Sequence, residues 1–237
     1  MIASEASSFW FSQNGHPWPP IEVFAYRPST FGPESPIVIL LHGWDRAAAY
    51  FRDCWVDPAG QRNWLLIAPK FDVASLLTAE EYNLGNVRPP LAATNTLNPE
   101  ERWTFDLLDR LFDEVKALTN SRRADFYLFG HSAGAQLAHR YLALASEPKA
   151  RHVIMGAPAF YILPNADLAY PDGFAGTGGE KDRIARFLGA PLTILVGDRD
   201  TDEDEDGTPW PSNVIAQGPN RLQRGVSYYE SGRRLAA

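Results

Sequence analysis

The 237-residue chain is 45% hydrophobic and 12% aromatic, a composition that can fill a large core and that excludes a disordered segment. Its 29 acidic and 22 basic residues give a formal net charge of -7, which opposes binding to nucleic acid or to an anionic membrane surface. Cys54 is the only cysteine, so an internal disulfide is excluded. The N-terminus lacks the basic start and apolar run of a signal peptide, and no apolar run reaches transmembrane length. We therefore expect a cytoplasmic protein.

Six short apolar segments have the composition of strands. They are residues 21–26, 37–41, 64–68, 126–129, 152–155 and 192–196. The first alternates apolar and polar residues and is expected near a sheet edge. The second is an unbroken apolar run, which favours the centre of a sheet that is covered on both faces.

Helical periodicity separates these strands. The clearest helix has Asn98 as a cap, Pro99 as its first residue and Glu101 in its first turn. Its apolar face is predicted to consist of Trp103, Leu107, Leu108, Leu111, Phe112 and Val115. Two more helices are predicted, one from residue 133 until Pro148 and one over residues 221–236. Strands that alternate with helices predict a mostly parallel central sheet with helices on both faces, in one domain spanning residues 1–237.

The segment Gly130-His131-Ser132-Ala133-Gly134 matches the G-x-S-x-G nucleophile elbow, with a strand before it and a helix after it. The two glycines leave room for a sharp turn that exposes Ser132. The alternative is a glycine-bracketed turn with a capping serine. Because the flanking elements fit, the pattern predicts that Ser132 is a nucleophile and that the Ala133 N–H helps to bind an oxyanion.

A second oxyanion donor is expected in His42-Gly43-Trp44, directly after the central strand. We assign this role to the backbone N–H of Trp44. His42 and Tyr82 are assigned to substrate binding, and Trp55 is a further candidate for the lining of an apolar acyl pocket. The alternative for these side chains is ordinary core packing.

The acid of a catalytic triad is expected after a later strand. Asp200 follows the strand at 192–196 and is favoured, with Asp198 as the second candidate. The acidic run at 202–207 matches the opening of a calcium-binding EF-hand loop, but Asn213 stands where that loop needs a bidentate glutamate. We therefore expect no metal and no cofactor.

These residues resemble bacterial α/β-hydrolases similar to polyhydroxybutyrate depolymerases and feruloyl esterases. The resemblance covers most of the chain. It rests on residues 26–28, 42–43, 82–87, 130–134, 197–200 and 217–219. It implies a serine hydrolase that cleaves small-molecule carboxylic esters through an acyl-enzyme, with Ser132 as nucleophile, Asp200 as acid, and Trp44 and Ala133 as oxyanion donors.

The resemblance also requires a histidine after the acid. All the histidines precede Asp200, namely His16, His42, His131, His139 and His152. We expect that the last strand and the catalytic-histidine loop are missing from a C-terminally truncated chain, and that its open sheet edge promotes association into a homo-oligomer.

None of the upstream histidines is expected to replace the base. His139 is about 10 Å along the helix from Ser132, His131 is expected to point away from Ser132, and His152 is expected at the opposite end of the sheet. His16 cannot be placed. The alternatives are a catalytically inactive binding protein on the hydrolase scaffold, or a peptidase or lyase with the same fold.

Overall fold

A seven-stranded sheet forms the centre of the computed structural model, which describes residues 2–12, 18–72, 78, 81–89, 96–205 and 208–236. The strands are β1 (Glu5–Phe11), β2 (Ile21–Arg27), β3 (Ile37–Leu41), β4 (Leu65–Pro69), β5 (Phe126–His131), β6 (Ala150–Gly156) and β7 (Leu192–Leu195). Their spatial order is β1-β2-β4-β3-β5-β6-β7. Neighbours from β4 to β7 are parallel, whereas β1 and β2 are antiparallel additions. The predicted mostly parallel sheet is confirmed.

All six predicted strands are present, with β3 at the centre as predicted. β2 lies next to the edge strand β1, so its predicted position near a sheet edge is confirmed. In β1 only the last residue, Phe11, is buried, and the strand lacks the continuous apolar pattern of a central strand. A short hairpin of β8 (Asp204–Glu205) and β9 (Thr208–Pro209) lies outside the main sheet.

Helices cover both faces of the sheet. They are α1 (Ala48–Asp53), α2 (Val56–Arg62), a 3₁₀ helix (Glu100–Arg102), α3 (Thr104–Thr119), α4 (Ala133–Leu144), α5 (Glu180–Leu188), α6 (Ser212–Ile215) and α7 (Arg221–Ala236). Within the described part of the chain, no helix combines the length and the apolarity needed to cross a bilayer.

The start of α3 differs from the prediction. Pro99 precedes only the 3₁₀ turn, and α3 begins at Thr104 because Trp103 is extended (φ -71°, ψ 140°). The Asn98 side chain does not cap the helix and instead donates a 2.9 Å hydrogen bond to the carbonyl of Asn86. The predicted apolar face is confirmed, since all six of its side chains are buried.

Two apolar clusters pack on opposite faces of the central strand. Ile37, Ile39 and Leu41 contribute to the larger cluster, which includes α3 and α4. Val38 and Leu40 contribute to the smaller one, which includes α1 and α2. In register, Leu41 pairs with Gly130, His131 with Gly156, and Gly156 with Leu195. The carboxyl ends of β3, β5, β6 and β7 therefore meet at one edge of the sheet.

Candidate active site

Ser132 occupies a strained turn at that edge. It lies between the end of β5 and the start of α4, with φ 52° and ψ -112°, a combination that L-residues rarely adopt. Its backbone N–H donates to the carbonyl of Gly156 at 2.9 Å, and its carbonyl accepts from the N–H of Gln136 at 3.1 Å. Bonds on both sides of Ser132 therefore hold the turn in place.

The glycines of the elbow are required by close backbone packing. A Cβ added to Gly130 would lie 2.2 Å from the carbonyl oxygen of Gly134. A Cβ added to Gly134 would lie 2.2 Å from the carbonyl oxygen of Leu41. Neither position has room for a side chain, so the elbow packs directly onto the end of the central strand.

The predicted oxyanion donors lie on the two segments that adjoin Ser132. Ala133 is the first residue of α4, where helix geometry leaves the backbone N–H without an intrahelical acceptor. The loop after β3 approaches from the other side, since a Cβ built on Gly43 would lie 3.9 Å from the Cβ of Ser132. Trp44 follows in that loop, with its side chain 59% exposed. Both predicted donors therefore lie in the immediate surroundings of Ser132.

His42, which the sequence assigns to substrate binding, is held by its own hydrogen bonds. The side chain is 1% exposed, its Nδ1–H donates to the carbonyl of Gly43 at 2.8 Å, and its Nε2 accepts from the N–H of Phe71 at 3.1 Å. Burial lowers its pKa to about 4, so the ring is neutral at pH 7. Both ring nitrogens are therefore occupied, and His42 fixes the shape of residues 42–44. We call this segment the oxyanion loop after its predicted role.

Tyr82, also assigned to substrate binding, lies next to His42. It is fully buried, and its hydroxyl donates to the carbonyl of His42 at 2.7 Å. Its ring stacks on Phe71 at 4.8 Å and lies under the guanidinium of Arg46 at 4.6 Å. Trp55 packs against Phe129 at 4.8 Å and is absent from the described lining of the cleft beside Ser132. Tyr82 therefore packs against the buried side of the oxyanion loop and stabilises it.

Asp200 lies in the loop after β7. Its N–H donates to Gly197 at 3.3 Å, and its carbonyl accepts from the N–H of Leu222 at 3.1 Å. Asp200 is half-buried, whereas Asp198 is exposed. Burial lowers the pKa of His131, and Arg221 lowers it further, while the carboxylates of Asp45 and Asp200 raise it. The carboxylate of Asp200 therefore acts on the neighbour of Ser132, and Asp200 stays the predicted acid with Asp198 as the second candidate.

The described histidines differ in their surroundings. His131 was expected to point away, but it lines the same cleft as Ser132. His139 is fully buried, with Nδ1–H donating to Ala135 at 2.8 Å and Nε2 accepting from Ile162 at 3.0 Å. His152 lies near the start of β6 and bonds Thr193 Oγ1 at 2.8 Å, away from the site as expected. His16 lies outside the described residues.

A cleft of about 500 Å³ opens beside Ser132, and we call it the nucleophile cleft. Sequence reasoning missed most of its lining. The described lining residues are His42, Gly43, Trp44, Asp45, Ala47, Tyr50, Phe51, Cys54, His131 and Ser132. Their position in the sequence could have indicated these lining residues, because residues 42–54 directly follow a predicted central strand.

The described side chains include no group of three or more His, Cys, Asp or Glu residues that could hold a metal ion. The acidic run with EF-hand character falls partly outside the described residues, which exclude 206 and 207.

Comparisons with known proteins agree with this architecture. The structure of poly(aspartic acid) hydrolase-1 from Sphingomonas sp. KT-1 superposes with a TM-score of 0.93 at 28% identity, covering 99% of this chain and 87% of that one. The poly(3-hydroxybutyrate) depolymerase of Bordetella parapertussis gives a TM-score of 0.91 at 31% identity, covering 99% and 78%. No curated protein matches the chain. Residues 38–235 match the family model described as the alpha/beta hydrolase family. The chain belongs to the alpha/beta hydrolase family.

Proposed function

We propose that this chain is a serine hydrolase of carboxylic esters with Ser132 as its nucleophile. The observation that carries the proposal is the strained backbone of Ser132 between β5 and α4, beside an open cleft. Such a turn is retained where the geometry serves chemistry, because it costs about 1–3 kcal/mol in folding free energy.

The surrounding groups suit acyl transfer. The Ser132 Oγ attacks the ester carbonyl, and the N–H groups of Trp44 and Ala133 stabilise the oxyanion. Collapse of this intermediate forms the acyl-enzyme. The serine proton leaves through a base and is delivered to the departing alcohol. Water then cleaves the acyl-enzyme by the reverse sequence and restores the Ser132 hydroxyl.

The catalytic base is the one group of this mechanism to which no residue is assigned. Asp200 suits the role of orienting a histidine, but no histidine follows it in the sequence. Loss of the base from a serine triad lowers kcat on the order of a millionfold.

The substrate class is proposed from the relative that is 31% identical, which is named as a depolymerase of the polyester poly(3-hydroxybutyrate). Hydroxyalkanoate and aromatic esters are the first substrates to examine. The second candidate function is a non-catalytic binding protein that uses the open cleft beside Ser132 to hold a ligand. A peptidase or lyase on this fold is the remaining alternative.

The test is labelling with a fluorophosphonate probe alongside hydrolysis of p-nitrophenyl esters. We expect labelling of the parent chain that is lost in Ser132→Ala. The matched control is Ser146→Ala, which removes an exposed serine after α4 and should label like the parent. If the parent fails to label, Ser132 is not activated and the binding protein is the better description.

A further inference from the structure

The nucleophile cleft has unusually exposed aromatic walls. Trp44 is 59% exposed and Tyr50 is 70% exposed, and both line the cleft with Phe51. Large exposed aromatic surface grouped around a concave site marks binding, because water contact with such surface is unfavourable. Residues on the oxyanion loop and on α1 therefore form a subsite next to the nucleophile.

Asp45 is the one carboxylate among the described lining residues of this subsite. Its carboxylate lines the cleft and is solvent-exposed, with Oδ1 3.4 Å from the N–H of Ala47. The described lining residues include no lysine or arginine. Two cleft histidines, His42 and His131, have pKa values lowered by burial, so they favour the neutral form.

Two arginines lie close to the cleft without lining it. Arg46 is 8% exposed and lies behind Trp44, 5.0 Å from its ring, with Nη1 donating to the Phe71 carbonyl at 2.6 Å. Arg221 lies on the acid side, 5.5 Å from the Trp210 ring. The described lining of the cleft therefore contains aromatic rings and one carboxylate, and both arginines lie outside that lining.

We propose that the nucleophile cleft is a subsite for a cationic group of the ester, such as an alkylammonium, and that Asp45 is the specificity-determining residue. Aromatic rings attract organic cations through their quadrupoles, and an adjacent carboxylate adds a Coulomb attraction. The same charge repels anionic groups, so an aspartate polymer, which one structural relative is named for hydrolysing, is expected to be a poor substrate here. The inference deepens the proposed ester hydrolase function and rests on it.

Cys54 offers a test that does not depend on Ser132. It is an exposed thiol, it lines the cleft, and it is the only cysteine of the chain. We would measure the rates at which Cys54 reacts with a trimethylammonium-bearing and a sulfonate-bearing methanethiosulfonate. Each rate is divided by the rate at which the same reagent reacts with free 2-mercaptoethanol, which removes differences in intrinsic reactivity. We expect the normalised cation-to-anion ratio to exceed one and to fall about threefold in Asp45→Asn, the size expected for one unit charge in a solvated site.

The matched control is Asp182→Asn. Asp182 is an exposed carboxylate on α5, away from Cys54 and outside the described lining, so this variant should keep the parent ratio. A parent ratio of one or less, or a ratio unchanged in Asp45→Asn, would overturn the proposal.

The second measurement compares p-nitrophenyl esters with size-matched cationic, uncharged and anionic acyl chains. We expect kcat/KM to decrease in that order, and we expect the order to flatten in Asp45→Asn. Equal rates for the cationic and uncharged esters would overturn the proposed subsite. If no ester and no fluorophosphonate reacts, the proposed function fails, and the Cys54 rates still decide the charge preference of the cleft.

Discussion

The two halves of the candidate site are built differently. The nucleophile half follows β3 and β5 at the centre of the sheet, where all five residues of β3 are buried. The acid half follows β7 at the edge, where no residue of the strand is fully buried and Leu195 is 50% exposed. Ser132 is thus positioned by close packing of backbones, whereas Asp200 is positioned by a loop.

Hydrogen bonding follows the same division. The oxyanion loop is supported from beneath by buried groups, with Phe71 and Tyr82 bonded to His42. The Asp200 loop is tied to α7 by one backbone hydrogen bond, from the N–H of Leu222. Changes in the nucleophile half, which we also call the central half, should therefore cost folding free energy. Changes in the acid half, or edge half, should alter electrostatics with little cost in stability.

The largest effect is expected for Gly134→Ala. The new Cβ would lie 2.2 Å from the Leu41 carbonyl oxygen, and backbone at the centre of a sheet cannot move away cheaply. We expect a loss of about 3 kcal/mol in the free energy of unfolding, the upper part of the range for overpacking, together with loss of fluorophosphonate labelling. Urea denaturation measures the change in the free energy of unfolding.

Gly32→Ala is the control, because a Cβ there would meet nothing within 4 Å. Its effect should stay within about 0.5 kcal/mol. Equal stabilities for the two variants would contradict the packing account of the elbow.

The second prediction concerns the pH dependence that His42 gives to the central half. Its pKa is lowered from 6.5 to about 4 by burial, so between these values the unfolded chain carries a proton on His42 and the folded chain does not. Stability is therefore lost as the pH falls from 6.5 towards 4, by up to about 3 kcal/mol. In His42→Gln this contribution should disappear, although the variant is less stable at pH 7 because a hydrogen bond is lost.

The measurement is the difference between the parent and His42→Gln in unfolding free energy at several pH values, since other groups titrate in both proteins. Asp109 changes stability in the opposite direction over part of this window, because burial raises its pKa to about 6. His139, whose pKa is lowered by burial, acts in the same direction as His42. A parent and variant with parallel pH profiles would show that residue 42 is not buried in its neutral form.

The sequence could predict the strands and the elbow better than the contacts that support them, for a physical reason. Buried parallel strands leave continuous apolar runs such as residues 37–41, and the elbow is a contiguous five-residue motif, so both are visible locally. By contrast, β1 is a half-exposed edge strand, and the short helix α2 contains Pro58 and Gly60, which mask its periodicity. The supporting roles of His42 and Tyr82 depend on partners 29 and 40 residues away, which no local pattern shows.

The smallest effect is expected where the two halves meet, at His131. Burial and Arg221 lower the pKa of His131, and the carboxylates of Asp45 and Asp200 raise it. In Asp200→Asn the opposing contribution from the edge loop is removed, so the pKa of His131 should fall below its value in the parent. The matched variant Asp198→Asn removes an exposed carboxylate two residues away and should leave the titration of His131 unchanged. Both are measured from the pH dependence of the His131 ring resonances by NMR. If Asp198→Asn shifts that titration and Asp200→Asn does not, the loop presents the other carboxylate to Ser132, and Asp198 takes over the role assigned here to Asp200.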